Sequence, residues 1–196
     1  LGWSYKDKEI FNLEESVKYF NLKNIGKSPS KLDFERIKSL NEYYIKNLNE
    51  KELFEYFKIY INEFKKNPEK KVLEIIFKNI NILKNKAKTL EDIYKNSRFI
   101  FEYNQTLITK SNLITEKNKI YLEDFLKEIS NINTFCDEKI SEISQIVLKN
   151  NNIKFKELGE PLRMILTGSS KAPSIKDIIK ILGINETINR LKQHIG

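Results

Sequence analysis

Cysteine, histidine, methionine and tryptophan each occur once in 196 residues, and glycine and proline occur only six and four times. The single Cys136 excludes an internal disulfide and favours a reducing compartment. The single histidine, His194, lies two residues from the last position and excludes a Ser-His-Asp triad or a histidine-rich metal site. It is expected to be a solvated terminal residue. So little glycine and proline leaves few turn signals for a many-stranded β fold. No apolar run approaches the roughly 18 residues of a membrane span, and no charged-then-apolar signal segment leads the chain. Soluble, cytoplasmic placement is the expectation. The chain does not begin with Met, and Leu1-Gly2-Trp3 has the character of a folded interior, so a piece of a longer protein is expected.

Present in quantity are Lys, Asn, Ile, Leu and Glu. Hydrophobic residues make up 40% and aromatics 11%, enough to fold rather than stay disordered. The net charge of +8 is uneven: Leu1 to Arg98 holds 21 basic and 15 acidic residues (+6), and Phe99 to Gly196 holds 14 and 12 (+2). A basic excess suits a polyanionic partner. An AT-rich genome, which favours Lys, Asn and Ile codons, accounts for it equally well.

The period of the apolar residues is helical. Leu13, Val17 and Phe20 form a short stripe. Gly26 to Ser30 is a loop. Asp33 caps a helix carrying Ile37, Leu40, Tyr44 and Ile45. Glu50 opens a helix with Leu53, Phe54, Phe57, Tyr60, Ile61 and Phe64 inward. Pro68 suits the first turn of the next, which runs through Val72, Ile75, Ile76, Ile80 and Leu83. Thr89-Leu90-Glu91-Asp92 is a capping box. Phe101 to Thr109 is loop or a short extended piece. Amphipathic helices follow at Glu116 to Ile129 and Phe135 to Leu148, with Cys136 expected as a small buried residue. A helix from Glu157 ends at Gly168, one opened by a second capping box, Ser174-Ile175-Lys176-Asp177, ends at Gly183, and a last one spans Asn185 to Gln193. The fold class is all-α, about ten helices in two packed subdomains, 1–87 and 88–196.

Chemistry is scarce. Gly26-Lys27-Ser28 lacks the glycine five residues earlier that a phosphate loop needs; Asn21 stands there. Lys27-Ser28-Pro29-Ser30-Lys31 has Pro where an ATP-handling Lys-Met-Ser-Lys segment has Met, and reads as a turn. The acidic pairs Glu14-Glu15 and Glu91-Asp92 sit in first helical turns, where they offset the dipole. No catalytic constellation emerges.

One stretch differs from its surroundings, "GEPLRMILTGSSKAPSI" from Gly159 to Ile175. Arg163 lies on a helix, Lys171-Ala172-Pro173 in the loop after it, and Ser174 opens the next helix. Basic side chains beside a helix start can hold an anion, and Arg, Pro and Ile can hydrogen-bond or stack on unpaired bases. The alternative is an ordinary corner with Met164, Ile165, Ile175 and Ile178 as core.

That stretch resembles the C-terminal G-x-P-L-R-x-x-L-T-G signature of bacterial glutamyl-tRNA synthetases. "LGWS" at Leu1 to Ser4, "EIFNLEE" at Glu9 to Glu15 and "GKSPSKLDFERIKSLNEYYI" at Gly26 to Ile45 resemble the same family's middle region, in the same order. The resemblance covers the whole chain. It implies that the ATP- and Mg2+-dependent catalytic domain lies before "LGWS", so that this part is not itself catalytic and carries no cofactor. It also implies a helical bundle (1–87) followed by an anticodon-holding helical domain (88–196). It places anticodon contacts at Arg163, Lys171, Pro173 and Ile175. Ala172 stands where some members have Thr, Gln145 where some have Arg, and Lys86 near a position where some carry an Arg that separates tRNA(Glu) from tRNA(Gln). The partner implied is tRNA(Glu), with tRNA(Gln) a second candidate, bound by a monomer with no membrane. A helical protein-interaction module and a general RNA-binding domain are the alternatives.

Overall fold

The computed structural model describes residues 3–6, 8–26, 31–103, 108, 111–132, 134–170 and 172–195. Lys171 and most of the 27–31 segment lie outside these, as do Leu1, Gly2 and most of 104–110. Eleven α-helices form among the described residues: α1 (Leu13–Tyr19), α2 (Phe34–Asn47), α3 (Glu50–Phe64), α4 (Lys70–Lys78), α5 (Ile80–Leu83), α6 (Leu90–Ser97), α7 (Glu116–Ser130), α8 (Asp137–Asn151), α9 (Phe155–Thr167), α10 (Ile175–Leu182) and α11 (Ile184–Ile195). Short 3-10 turns follow α1 at Leu22–Asn24 and α6 at Arg98–Ile100. The one β pairing among the described residues is an isolated bridge between Tyr5 and Lys8. The all-α class is what the periodicity dictates.

Local chemistry starts most helices where the sequence indicates. The Asp33 carboxylate accepts the Glu35 and Arg36 N–H groups. Thr89 and Asp92 exchange side chain–backbone bonds as a complete capping box. Asn49 accepts from Glu52 N at 2.9 Å, and α3 then buries Leu53, Phe57 and Ile61 at four-residue spacing. Full burial of such side chains contributes about 1.5–3 kcal/mol each.

Four expectations about the helices are corrected. The run from Val72 to Leu83 is two helices, because Asn79 leaves the helical conformation (φ −117°, ψ 13°) and turns its amide back onto Ile75 O at 2.9 Å. Pro68 precedes the Glu69 cap rather than entering the first turn, so it shapes the approach to α4. Cys136 is the N-cap residue of α8, half-buried, with its Sγ 2.8 Å from Glu138 Oε2. It is a helix boundary residue rather than buried filling. Ser174 accepts from Asp177 N, and its hydroxyl donates back to the Asp177 carboxylate instead of completing the expected box.

The core is continuous from Ile45 to Ile195. α6 packs on α3 and α5, and the Asn96 amide donates to Leu83 O at 2.9 Å. In the second half, α7 packs between α8 and α11, while α9 touches α7, α8, α10 and α11. That central helix carries the signature stretch. The 3-10 turn at Arg98–Ile100 also packs on α9, joining the first group of helices to the second.

Candidate nucleic-acid interface

α9 begins two residues earlier than the periodicity places it. Glu157 bonds back to Lys154 N at 2.9 Å and closes the first turn ahead of Phe155. Pro161 lies inside the helix, where it removes one N–H donor and crowds the carbonyl of Glu157. Its ring is buried, which offsets part of that cost. Gly168 ends the helix in the left-handed region at φ +73°, a conformation glycine adopts without penalty.

The chain then loops to Ser174, and Arg163 latches that loop. Its Nε donates to Pro173 O at 3.1 Å. One turn earlier is Gly159. A Cβ there would lie 3.3 Å from Arg163 Nη1 and 3.3 Å from Cε1 of Phe155, so the bare backbone makes room for the guanidinium to lie back along the helix. Phe155 is 49% exposed. Phe155, Arg163 and Pro173 therefore form one surface over the buried Gly159: an aromatic ring, a planar cation and a proline. Arg163 has no ion pair among the described residues. Its remaining N–H groups can meet a hydrogen-bond acceptor, and the flat groups beside it can take a base.

A cleft of about 330 Å³ opens beside Pro173, lined among others by Lys95, Arg98, Phe99, Thr167, Gly168 and Ala172. Lys95 pairs with Glu91 at 3.3 Å and Arg98 with Glu102 at 2.8 Å, both exposed pairs that a phosphate can compete for. The sequence did not single out these two basic residues. Their spacing of three on one helical face was the available signal.

Of the residues indicated by sequence, Arg163 and Pro173 are joined directly, and Ala172 is half-buried beside them. Lys171 lies outside the described residues. Ile175 is only 3% exposed and sits in the core beneath the corner, so it supports the surface rather than offering a face of its own. Met164 is half-buried, while Ile165 and Ile178 are core. Gln145 is exposed on α8, which packs on α9 and α10. Lys86 stands apart on the turn between α5 and α6, exposed, with a left-handed backbone at φ +63°. Among the described residues, neither shares a hydrogen bond with the corner.

His194 is not a solvated terminus. Its ring packs edge-on against Tyr103, with Nε2 3.0 Å from the Tyr103 hydroxyl, and burial pulls its pKa below the ordinary value. Tyr103 donates to Ile165 O at 2.8 Å, and burial pushes its pKa up to about 12, so it stays a donor. Arg190, also missed by sequence reasoning, is 5% exposed and lies over the Tyr103 ring, 4.0 Å from its centre. Its signal was legible: it falls on the inward stripe of α11 with Ile184, Thr187, Leu191 and Ile195.

The family described as "Anticodon binding domain" matches residues 35–195. A glutamate–tRNA ligase of Pelagibacter ubique is 45% identical over 198 residues, covering 100% of this chain and 42% of the relative. Glutamate–tRNA ligase 1 of Campylobacter hominis is 35% identical, covering 100% and 41%. The chain thus spans about two fifths of the length of the curated relatives it matches. Among solved structures, a glutamate tRNA ligase from Elizabethkingia meningosepticum in complex with its amino acid shares the fold. Its TM-score is 0.74 at 24% identity, covering 100% of this chain and 39% of that one.

Proposed function

The chain belongs to the anticodon-binding domain family, and on that premise we propose that its α9–α10 corner holds unpaired anticodon bases of tRNA(Glu). The carrying observation is Arg163: latched to Pro173 O, laid over Gly159, beside an exposed Phe155 ring, and free of a carboxylate partner among the described residues. Ala172, Lys171 and Gln145 are proposed to line the path of the same loop, and Ile175 to support it from below. Lys95 and Arg98 at the adjoining cleft meet the backbone phosphates. The excess of positive charge fits this partner.

The full protein is proposed to be a cytoplasmic, monomeric glutamate–tRNA ligase that activates glutamate with ATP and transfers it to tRNA. ATP and Mg2+ are proposed for that activity of the full protein; among the described residues no three His, Cys, Asp or Glu side chains gather. We divide the chain at 87/88 into a bundle on the stem side and an anticodon domain, with α6 bridging them through its packing on α3 and α5.

Titration with an anticodon stem-loop RNA tests the proposal. Arg163→Ala should weaken binding by about 1–3 kcal/mol, the range for a base contact. The lost bond to Pro173 O lowers stability only slightly, by about 0.5–1.5 kcal/mol, so the variant stays folded. Binding should also fall steeply with salt. Undiminished binding by a folded Arg163→Ala protein removes the residue. No preference for the tRNA(Glu) anticodon reduces the chain to a charge-driven RNA binder. Lys86 is proposed to bear on the tRNA(Glu)/tRNA(Gln) choice; Arg adds a planar fork that Lys lacks. The binding ratio of the two tRNAs should shift in Lys86→Arg, and an unchanged ratio discards that role.

A second reading, a protein-interaction module, draws on the apolar surface of the N-terminal helices, where Leu13, Leu22 and Phe34 are largely exposed. Salt-insensitive capture of a protein partner, with no RNA affinity, would favour it.

A further inference from the structure

The C-terminal end of a helix leaves carbonyls without intrahelical partners. In α9 those carbonyls stand just before the loop that Arg163 latches, and two of them are held by side chains from distant segments. Tyr103 Oη donates to Ile165 O at 2.8 Å. Arg190 Nη1 donates to Leu166 O at 2.6 Å and to Phe99 O at 3.0 Å, while its Nε donates to Glu186 at 2.8 Å. The Tyr103 ring lies beneath the guanidinium, and His194 abuts the Tyr103 hydroxyl.

One guanidinium therefore holds two pieces of main chain that do not otherwise share a helix. Phe99 lines the 330 Å³ cleft from the 3-10 turn, and Thr167 and Gly168, which follow Leu166, line it from the end of α9. Thr167 in turn approaches Arg163 O at 2.8 Å. The spacing of these two segments and the bearing of the Arg163 turn are set from the same point. Burying an arginine for stability alone is a poor bargain, because an apolar residue of similar volume often does as well. What an apolar residue cannot do is fix two carbonyls at set directions.

We infer that Arg190, seated on Tyr103, is a positioning residue for base recognition: it fixes the width of the cleft and the stance of the Arg163 turn without itself touching RNA. This rests on the function proposed above. Arg190→Lys keeps the charge but cannot reach both carbonyls, and Tyr103→Phe keeps the ring but loses the bond to Ile165 O. Val147→Ala, in the core of α8, serves as the control for lost stability.

Two quantities are measured on the 196-residue chain. The first is the ratio of affinities for the tRNA(Glu) anticodon stem-loop and for one with an altered middle base. The second is amide hydrogen exchange at Gly168, Ser169 and Ser174. Arg190→Lys should cut the ratio about tenfold, equivalent to 1.4 kcal/mol, and speed exchange at those amides. Tyr103→Phe should do the same more weakly, and Val147→Ala should leave the ratio intact. An unchanged ratio in Arg190→Lys overturns the inference even if the loop loosens. An equal loss in Val147→Ala also overturns it. If the parent chain shows no preference between the two stem-loops, the proposed function falls, and exchange at the three amides alone decides whether Arg190 positions the loop.

Discussion

The N-terminal and C-terminal regions of the chain use the same interactions to different ends. α1 has a complete capping box, in which Asn12 and Glu15 bond reciprocally, yet none of its seven residues is buried. Its ion pair, Lys8 with Glu15, joins neighbours in the chain. α9 has a weaker start and a proline in its interior, yet it buries six of its thirteen residues and is bonded by groups from distant segments. Capping decides where a helix begins. Burial and long-range bonds decide whether it can serve as a fixed edge of a site. A helix without them is a scaffold for something laid against it.

Breaking the C-terminal region should therefore cost far more than altering the N-terminal one. Arg190→Ala leaves two buried carbonyls unpaired and should destabilise the chain by about 2–4 kcal/mol in a denaturant titration. A loss under 1 kcal/mol would show that water replaces the guanidinium without penalty. A smaller effect comes from His194. Its folded pKa lies below the ordinary 6.5, with burial as the cause. As pH falls below about 6.5 the unfolded chain takes up this proton first, so stability declines until the folded pKa is passed and then levels off. His194→Asn should lack that part of the decline when melting temperatures at about pH 7.5 and 5 are compared, and parallel curves would refute it. At the small end, Leu13→Ser on α1, at a side chain 80% exposed, should change stability by no more than about 0.5 kcal/mol. A larger loss would mean that α1 is anchored in ways its burial does not reveal.

How much could be read in advance follows the same division. The caps at Asp33 and Thr89, the inward face of α3 and the left-handed Gly168 depend on residues within four positions of each other, so their spacing announces them. The break at Asn79 was hidden because Ile76, Ile80 and Leu83 keep the helical period across it. Arg190, Tyr103 and His194 were illegible as a group: each looks ordinary alone, and only the packing of α11 against the turn at residues 98–100 and α9 makes them one network. Arg163 and Pro173 were indicated by motif and are indeed hydrogen-bonded. Ile175 was indicated as a contact but is buried, because a helix start that faces solvent at Ser174 turns inward one residue later.

The bonds from α11 to Phe99 and to Tyr103 each join groups 91 residues apart. Closing so long a loop carries a large entropic cost before any contact repays it, and such contacts tend to form late in folding. Synthesis adds a second delay, since residue 190 leaves the ribosome after both of the carbonyls it must grip. A nascent chain can possess all of α9 and still lack the bolt that squares it. The α9–α10 corner is thus assembled in time as well as in space, and it is complete only after its farthest contributor has been made and has folded back.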